Sequence, residues 1–342
     1  MLKLFHTAIY TPFQYPFTTT HGTKTEQTAL LVALDFRGIP GFGEAPIINY
    51  YPDTLADMQQ ALEAKRQVIE RYALMDPERF WHFLHHLYPD HPFLVAALDM
   101  AGWDLFAKMR RTTVRGLWNV TADATPLTSY TIGFDSIEAM QEKIKAHPWP
   151  VYKIKLTEAS SAVRVIESLQ QVTDAELRID ANGGWHMQEA LQVIPELERL
   201  GITVLEQPLP VEENEAMPEL KAKTRLILMA DESCVGEKDV AKCAAGFHGV
   251  NIKLTKCSGM TPARRMITEA RSLGLKVMMG SMCETSIGSA AIAQFLPLLD
   301  YVDMDGPLLL ADDVAEGLTY DNGKVTLQQA PGLGIRITKR VF

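Results

Sequence analysis

Between residues 127 and 310 the chain repeats one pattern eight times: a short run rich in β-branched and aliphatic residues, then a polar stretch of helical character. The runs occupy 127–133, 151–156, 176–182, 202–209, 225–234, 249–259, 276–286 and 301–310. They recur at roughly 25-residue intervals, enough for one strand, one helix and two short loops, and strand alternating with helix implies parallel pairing. Eight such units close into a barrel. The intervening stretches 136–146, 161–172, 188–200 and 261–273 place apolar residues at helical spacing with charges between them. Gly201 and Gly274 stand where helix C-caps belong. An open doubly wound sheet has less support, because no Gly-x-Gly-x-x-Gly turn follows an early strand and no Gly-Lys-Ser/Thr loop occurs.

The first 120 residues differ in texture. Two strand-like runs, 25–36 and 39–45, meet at Arg37-Gly38, and helical patterns follow at 54–72, 77–87 and 91–109. Near the other end, 317–320 and 324–328 flank Asp321-Asn322-Gly323, a hairpin signal. The chain is therefore expected to divide into an α+β capping unit at 1–120, a barrel at 121–312, and a segment at 313–342 that returns to the cap.

Composition excludes several partners. Lys and Arg number 33 against 42 Asp and Glu, a formal net charge of −9, the wrong sign for non-specific attraction to nucleic acid or an anionic membrane. No run of about 18 apolar residues occurs, and the first ten residues lack a signal-peptide core, so the expected location is cytoplasmic. Cys234, Cys243, Cys257 and Cys283 form no CxxC pair, and are expected to be mostly small core residues.

Active sites of such barrels lie at the carboxyl ends of the strands. Here those ends carry Lys153 and Lys155, Asp180 and Asn182, Glu206, Asp231 and Glu232, Lys253, Glu284, and Asp303 and Asp305. A single charged strand end is ordinarily a solvated one; seven in succession within apolar runs are not. Asp180, Glu206 and Asp231 come from three neighbouring strands, and a divalent cation relieves the repulsion of such a cluster. All-oxygen ligation favours Mg²⁺ or Mn²⁺ over zinc. Strands two and six lie opposite one another in a ring of eight, so Lys155 and Lys253 face each other across the mouth, a proton donor or acceptor on either side of a substrate. Side chains alternate along a strand, which puts Asp303 and Asp305 on one face.

The segments Lys153-Ile-Lys155, Asp180-Ala-Asn182, Glu206-Gln-Pro208, Ala230-Asp-Glu-Ser233, Asn251-Ile-Lys253 and Asp303-Met-Asp305 resemble the enolase superfamily, in its muconate-lactonizing subgroup, and within that the dipeptide epimerases. The likeness spans nearly the whole chain. It implies an α/β fold, a modified TIM barrel of (β/α)7β form with an N-terminal α+β capping domain. The superfamily is itself the standard case of a Lys or His base working with one or two Mg²⁺ ions, so that chemistry comes with the resemblance rather than from spacing. By position, Asp180, Glu206 and Asp231 would bind Mg²⁺, and Lys155 and Lys253 would exchange the α-proton of a dipeptide's C-terminal residue. Lys153 would help hold the substrate carboxylate and poise Lys155. Thr131 would contact substrate, and Asp303 and Asp305 would hold its free ammonium.

Specificity is expected from cap loops at 17–27 and 45–51. Members that prefer L-Ala-D/L-Glu tend to carry an Arg in the first loop. Gly22 stands there in this chain, with Lys24 the only cation nearby, which favours Ala-containing or hydrophobic neutral dipeptides. The alternatives are an L-Ala-D/L-Glu epimerase, an o-succinylbenzoate synthase or muconate cycloisomerase, and, outside enzymes, a silent metal-binding scaffold. The expected partner is a small dipeptide; a homo-oligomer is left open, since no feature fixes a number.

Overall fold

The computed structural model describes residues 1–19, 22–121 and 124–342. Eight parallel strands follow one another around a barrel: β4 (Tyr130–Ile132), β5 (Val151–Lys155), β6 (Glu176–Asp180), β7 (Val204–Glu206), β8 (Ile227–Ala230), β9 (Gly249–Ile252), β10 (Lys276–Gly280) and β11 (Tyr301–Asp303). Each pairs with its sequence neighbours, and a parallel bridge between Thr128 and Val302 brings the first strand's approach against the last. Every expected run thus contains a strand. The strands are shorter than the runs because the chain turns away as soon as it reaches the mouth, where Asn182 and Gln207 adopt φ of 44° and 36°. Seven helices connect the eight strands, giving the (β/α)7β form. Gly201 and Gly274, at φ 81° and 71°, follow two of these helices in the left-handed conformation that stops a helix.

Ahead of the barrel lies an antiparallel sheet of β1 (Lys3–Thr19), β2 (Gly22–Phe36) and β3 (Ile39–Pro46). Arg37 and Gly38, at φ 56° and 83°, make the β2–β3 hairpin turn with both central residues left-handed, the form whose twist matches the strands. The helices α1 (Leu55–Glu70), α2 (Pro77–Leu87) and α3 (Pro92–Met109) follow. β3 lies directly against α3 because Gly41 and Gly43 share a face. A Cβ on Gly41 would come within 2.2 Å of the Ala101 carbonyl oxygen, and one on Gly43 within 1.9 Å of that of Ala97.

α3 is the axle of the molecule. Fourteen of its 18 residues are buried: Ala96, Met100, Trp103 and Ala107 join the barrel core, while Phe93, Leu94, Ala97 and Leu98 join the cap core. Its two buried acids tie down backbone that would otherwise be unsatisfied. Asp99 accepts from the Thr261 N–H and hydroxyl at the start of the barrel helix Met260–Ser272. Asp104 accepts from Phe42 N–H in β3 and from Leu333 N–H in the terminal segment. No helix among the described residues is long and apolar enough to cross a membrane.

Candidate active site

β6 and β7 end on Asp180 and Glu206, which are register partners, and Asp231 follows β8 directly. All three carboxylates are buried, and one oxygen from each lies within 4.8 Å of the others. Around them the chain assembles a basic shell. Lys153 Nζ stands 2.9 Å from Asp180, 2.7 Å from Glu206 and 2.8 Å from Asp303. Lys155 Nζ donates to Asp180 Oδ2 at 2.7 Å and to Asn182 Oδ1 at 3.1 Å. On the far side Lys253 Nζ donates to Asp231 Oδ2 at 2.7 Å, while Lys256 holds both Asp231 Oδ1 and the Asp231 carbonyl. Asn251 donates to Glu206 at 2.8 Å. Gly280 leaves room for this row: a Cβ there would meet the Asn251 amide at 2.8 Å and Lys253 Cε at 3.1 Å.

The electrostatics are uneven. Burial works against ionisation of every acid here, yet the Lys153 and Lys155 charges hold Asp180 down at about 2. Lys253 and Lys256 likewise keep Asp231 well below the usual carboxylate range against its burial. Glu206 goes the other way, pushed up to about 8 by burial and by Asp180, with Lys153 offsetting only part. One carboxylate of the cluster is thus left undercompensated by the lysines. Burial lowers Lys153, but its surrounding carboxylates win and raise it well above the usual value.

Above the cluster opens one pocket, lined from the barrel by Thr131, Lys153, Lys155, Asn182, Lys253, Asp303 and Asp305, among others, and from the cap by Phe17, Lys24, Ile48 and Tyr50. The sequence expectation thus brings its lysines, its aspartate pair and Thr131 to one cavity, with the three carboxylates beneath. The aspartate pair gets there by another route than strand alternation. β11 stops at Asp303 after three residues, and Asp305 lies in the turn before the short helix Gly306–Leu309. Asp303 is held by Ser129 and Lys153, and Asp305 accepts the Thr131 N–H at 2.6 Å. Burial, with Asp303 beside it, lifts Asp305 to about 6.

One expectation is corrected. The loop expected over 17–27 is the paired tip of β1 and β2, with Phe17 opposite Lys24, Thr18 opposite Thr23 and Thr19 opposite Gly22; positions 20 and 21 lie outside the described residues. Cross-strand pairing continues into the expected loop, and it sets Phe17 and Lys24 side by side on the pocket wall. Lys153 lines the pocket, as expected of a substrate-facing cation, and is in addition the common partner of three carboxylates. Sequence reasoning gave no role to Lys256, Asn251, Ser129 or Tyr50. The Lys-x-x-Lys spacing from Lys253 to Lys256 and the Asn-x-Lys alternation from Asn251 were the available signals for the first two.

Comparison with known proteins agrees with this geometry. Residues 135–341 match the family model described as enolase C-terminal domain-like. The chain is 43% identical, over 98% of its length and 97% of the relative's, to an L-Ala-D/L-amino acid epimerase of Flavobacterium johnsoniae. It is 35% identical to an L-Ala-D/L-Glu epimerase of Bacteroides thetaiotaomicron, over 98% of this chain and 85% of that one. A solved dipeptide epimerase from Methylococcus capsulatus, complexed with Mg and the dipeptide L-Arg-D-Lys, superposes with a TM-score of 0.90 at 28% identity, covering 97% of this chain and 98% of the other.

Proposed function

Because the chain belongs to the enolase superfamily, we propose that it is a Mg²⁺-dependent dipeptide epimerase that inverts the α-carbon of the C-terminal residue. The observation that carries this reading is the pocket in which Lys155, at the end of β5, and Lys253, just past β9, meet above three carboxylates and beside Asp303 and Asp305. Epimerase relatives covering nearly the whole chain support it.

The residues fit a divalent ion. The donors of Asp180, Glu206 and Asp231 are all oxygen, they converge, and Glu206 is left undercompensated without further positive charge. Bound there, Mg²⁺ would supply positive charge to the substrate carboxylate as charge builds on it. The chain's own residues do the rest. Asp303 and Asp305 receive the free ammonium of the dipeptide, a charge-assisted pairing in a buried setting. Thr131 and Lys153 bound the substrate on the β4–β5 side. One of Lys155 and Lys253 takes the α-proton, leaving an enediolate, and the other delivers a proton to the opposite face. The exchange is balanced: one proton leaves, one arrives, and the configuration inverts.

Dipeptides with N-terminal Ala and a neutral second residue are the expected substrates. A second reading, an acidic second residue, draws on Lys24, which lines the pocket and whose pKa burial lowers; a substrate carboxylate beside it would act in the opposite direction. Incubation of a dipeptide library with the protein and Mg²⁺ in D₂O tests both. Loss of the C-terminal residue's α-proton, with a one-mass-unit gain and appearance of the epimer, is expected. No exchange from any dipeptide sinks the epimerase reading. A preference for L-Ala-L-Glu that disappears in Lys24→Met would establish the acidic reading over the neutral one.

A further inference from the structure

Glu232 follows the ligand candidate Asp231 but is absent from the pocket wall, and its carboxylate points its Oε1 at Asn182, whose Nδ2 donates to it at 3.1 Å. Its Oε2 is buried with no hydrogen-bond partner among the described residues. Asn182 does line the pocket, and its Oδ1 accepts from Lys155 at 3.1 Å. Its backbone is left-handed, φ 44°, with its N–H donating to Asp180 Oδ1.

The chemistry of this row has a direction. An ammonium can only donate, so the amide serves Lys155 only while it presents its oxygen; the Glu232 Oε1 accepts, and so takes the amide by its nitrogen. The terminal torsion of Asn is broad and roughly two-fold, so neither orientation is intrinsically fixed. Glu232 therefore selects the rotamer that delivers Oδ1 to Lys155. Lys253 has no such amide: its partner Asp231 is fixed by Lys256 instead.

We infer that Glu232 is a positioning residue for Lys155, acting through the Asn182 amide, and that it serves one face of the substrate only. The inference rests on the epimerase reading above. Lys155 acts on one epimer's proton and Lys253 on the other's, so loss of Glu232 impairs deprotonation of a single epimer, whereas damage to the cation site or the fold impairs both.

The test compares initial α-proton exchange in D₂O for both epimers of an Ala-containing dipeptide turned over by the wild type. Lys155→Ala identifies the epimer that faces Lys155, by loss of its exchange. Glu232→Ala should lower exchange of that epimer about tenfold or more, in keeping with a bond to a charged group, and leave the other within about twofold. Mn²⁺ affinity, followed by electron paramagnetic resonance, should be unchanged. Glu232→Gln, nearly isosteric and still an acceptor, should recover most of the loss. Adding Glu232→Ala to Asn182→Ala should cost nothing further. Parallel loss on both epimers, a weakened Mn²⁺ affinity, or unchanged exchange on both would overturn the inference alone. Exchange from neither epimer by the wild type would overturn the epimerase reading and the inference with it.

Discussion

The two sides of the mouth are built differently although each carries one lysine. On the Lys253 side the cap is bolted to the barrel through buried side chains. Glu44 of β3 accepts from the Thr285 N–H and hydroxyl and the Gly288 N–H. Asp99 accepts from Thr261, and the Trp81 indole donates to the Ser258 carbonyl. On the Lys155 side the cap arrives as the outer end of the β1–β2 hairpin. It is joined there by a backbone bond from Phe134 to Thr18 and an edge contact between the Tyr15 and His147 rings. The cap is thus fixed by buried side-chain bonds at one rim and by hairpin backbone and ring contacts at the other. Each lysine is held by a carboxylate that a second lysine clamps, Asp231 by Lys256 and Asp180 by Lys153, and Lys155 is held in addition by the Asn182 amide.

The largest break in that comparison comes from the lysines themselves. Lys155→Ala and Lys253→Ala should each reduce epimerisation by at least about 10³-fold, while each retains exchange on the epimer the other loses. Chiral chromatography with deuterium counting reads this directly, and loss of exchange on the same epimer in both variants would refute the opposed-base arrangement. Next is Lys256→Met. Removing one partner of a buried ion pair should destabilise the protein by roughly 3 kcal/mol in chemical denaturation. A change within about 0.5 kcal/mol, the ordinary range for an inconsequential surface substitution, would mean that Asp231 does not need its clamp.

A third test, read as a slope against pH, addresses the bolt at Glu44. Burial raises this carboxyl from 4.5 to about 8, against the three donated hydrogen bonds and with Glu284 beside it. The folded state then binds a proton that the unfolded state has released, so this contribution is complete below about 4.5 and is lost as pH rises toward 8. Wild-type stability relative to Glu44→Gln should therefore fall through that window, by at most about 1.4 kcal/mol per pH unit. Parallel stability curves for the two proteins would show that Glu44 is ionised throughout.

The contrast between rims also separates what was legible in the sequence from what was not. Strands buried on both faces read as near-continuous apolar runs, so β4–β11 stood out, and a charge closing such a run marked Asp180, Glu206, Lys253 and Asp303. β1 did not stand out. Pro12 and Pro16 interrupt it where its register against β2 shifts, and its exposed positions carry Tyr10, Gln14 and Tyr15. Nor did the Asn182 amide or the Lys256 clamp, because both depend on which side chains the closed ring brings together. Asp303 and Asp305 were correctly paired from their spacing, yet it is the turn after a three-residue strand that sets Asp305.

The burial of α3 on every side has a consequence for recombination. Its residues complete two cores at once, so a chimera that exchanged the first 120 residues with those of a relative would need a helix matched to both the borrowed sheet and the resident barrel. Under the proposed function, substrate preference would follow from side chains such as Phe17, Lys24, Ile48 and Tyr50 that reach the pocket from the cap, and grafting those few positions is the tractable route to a new preference.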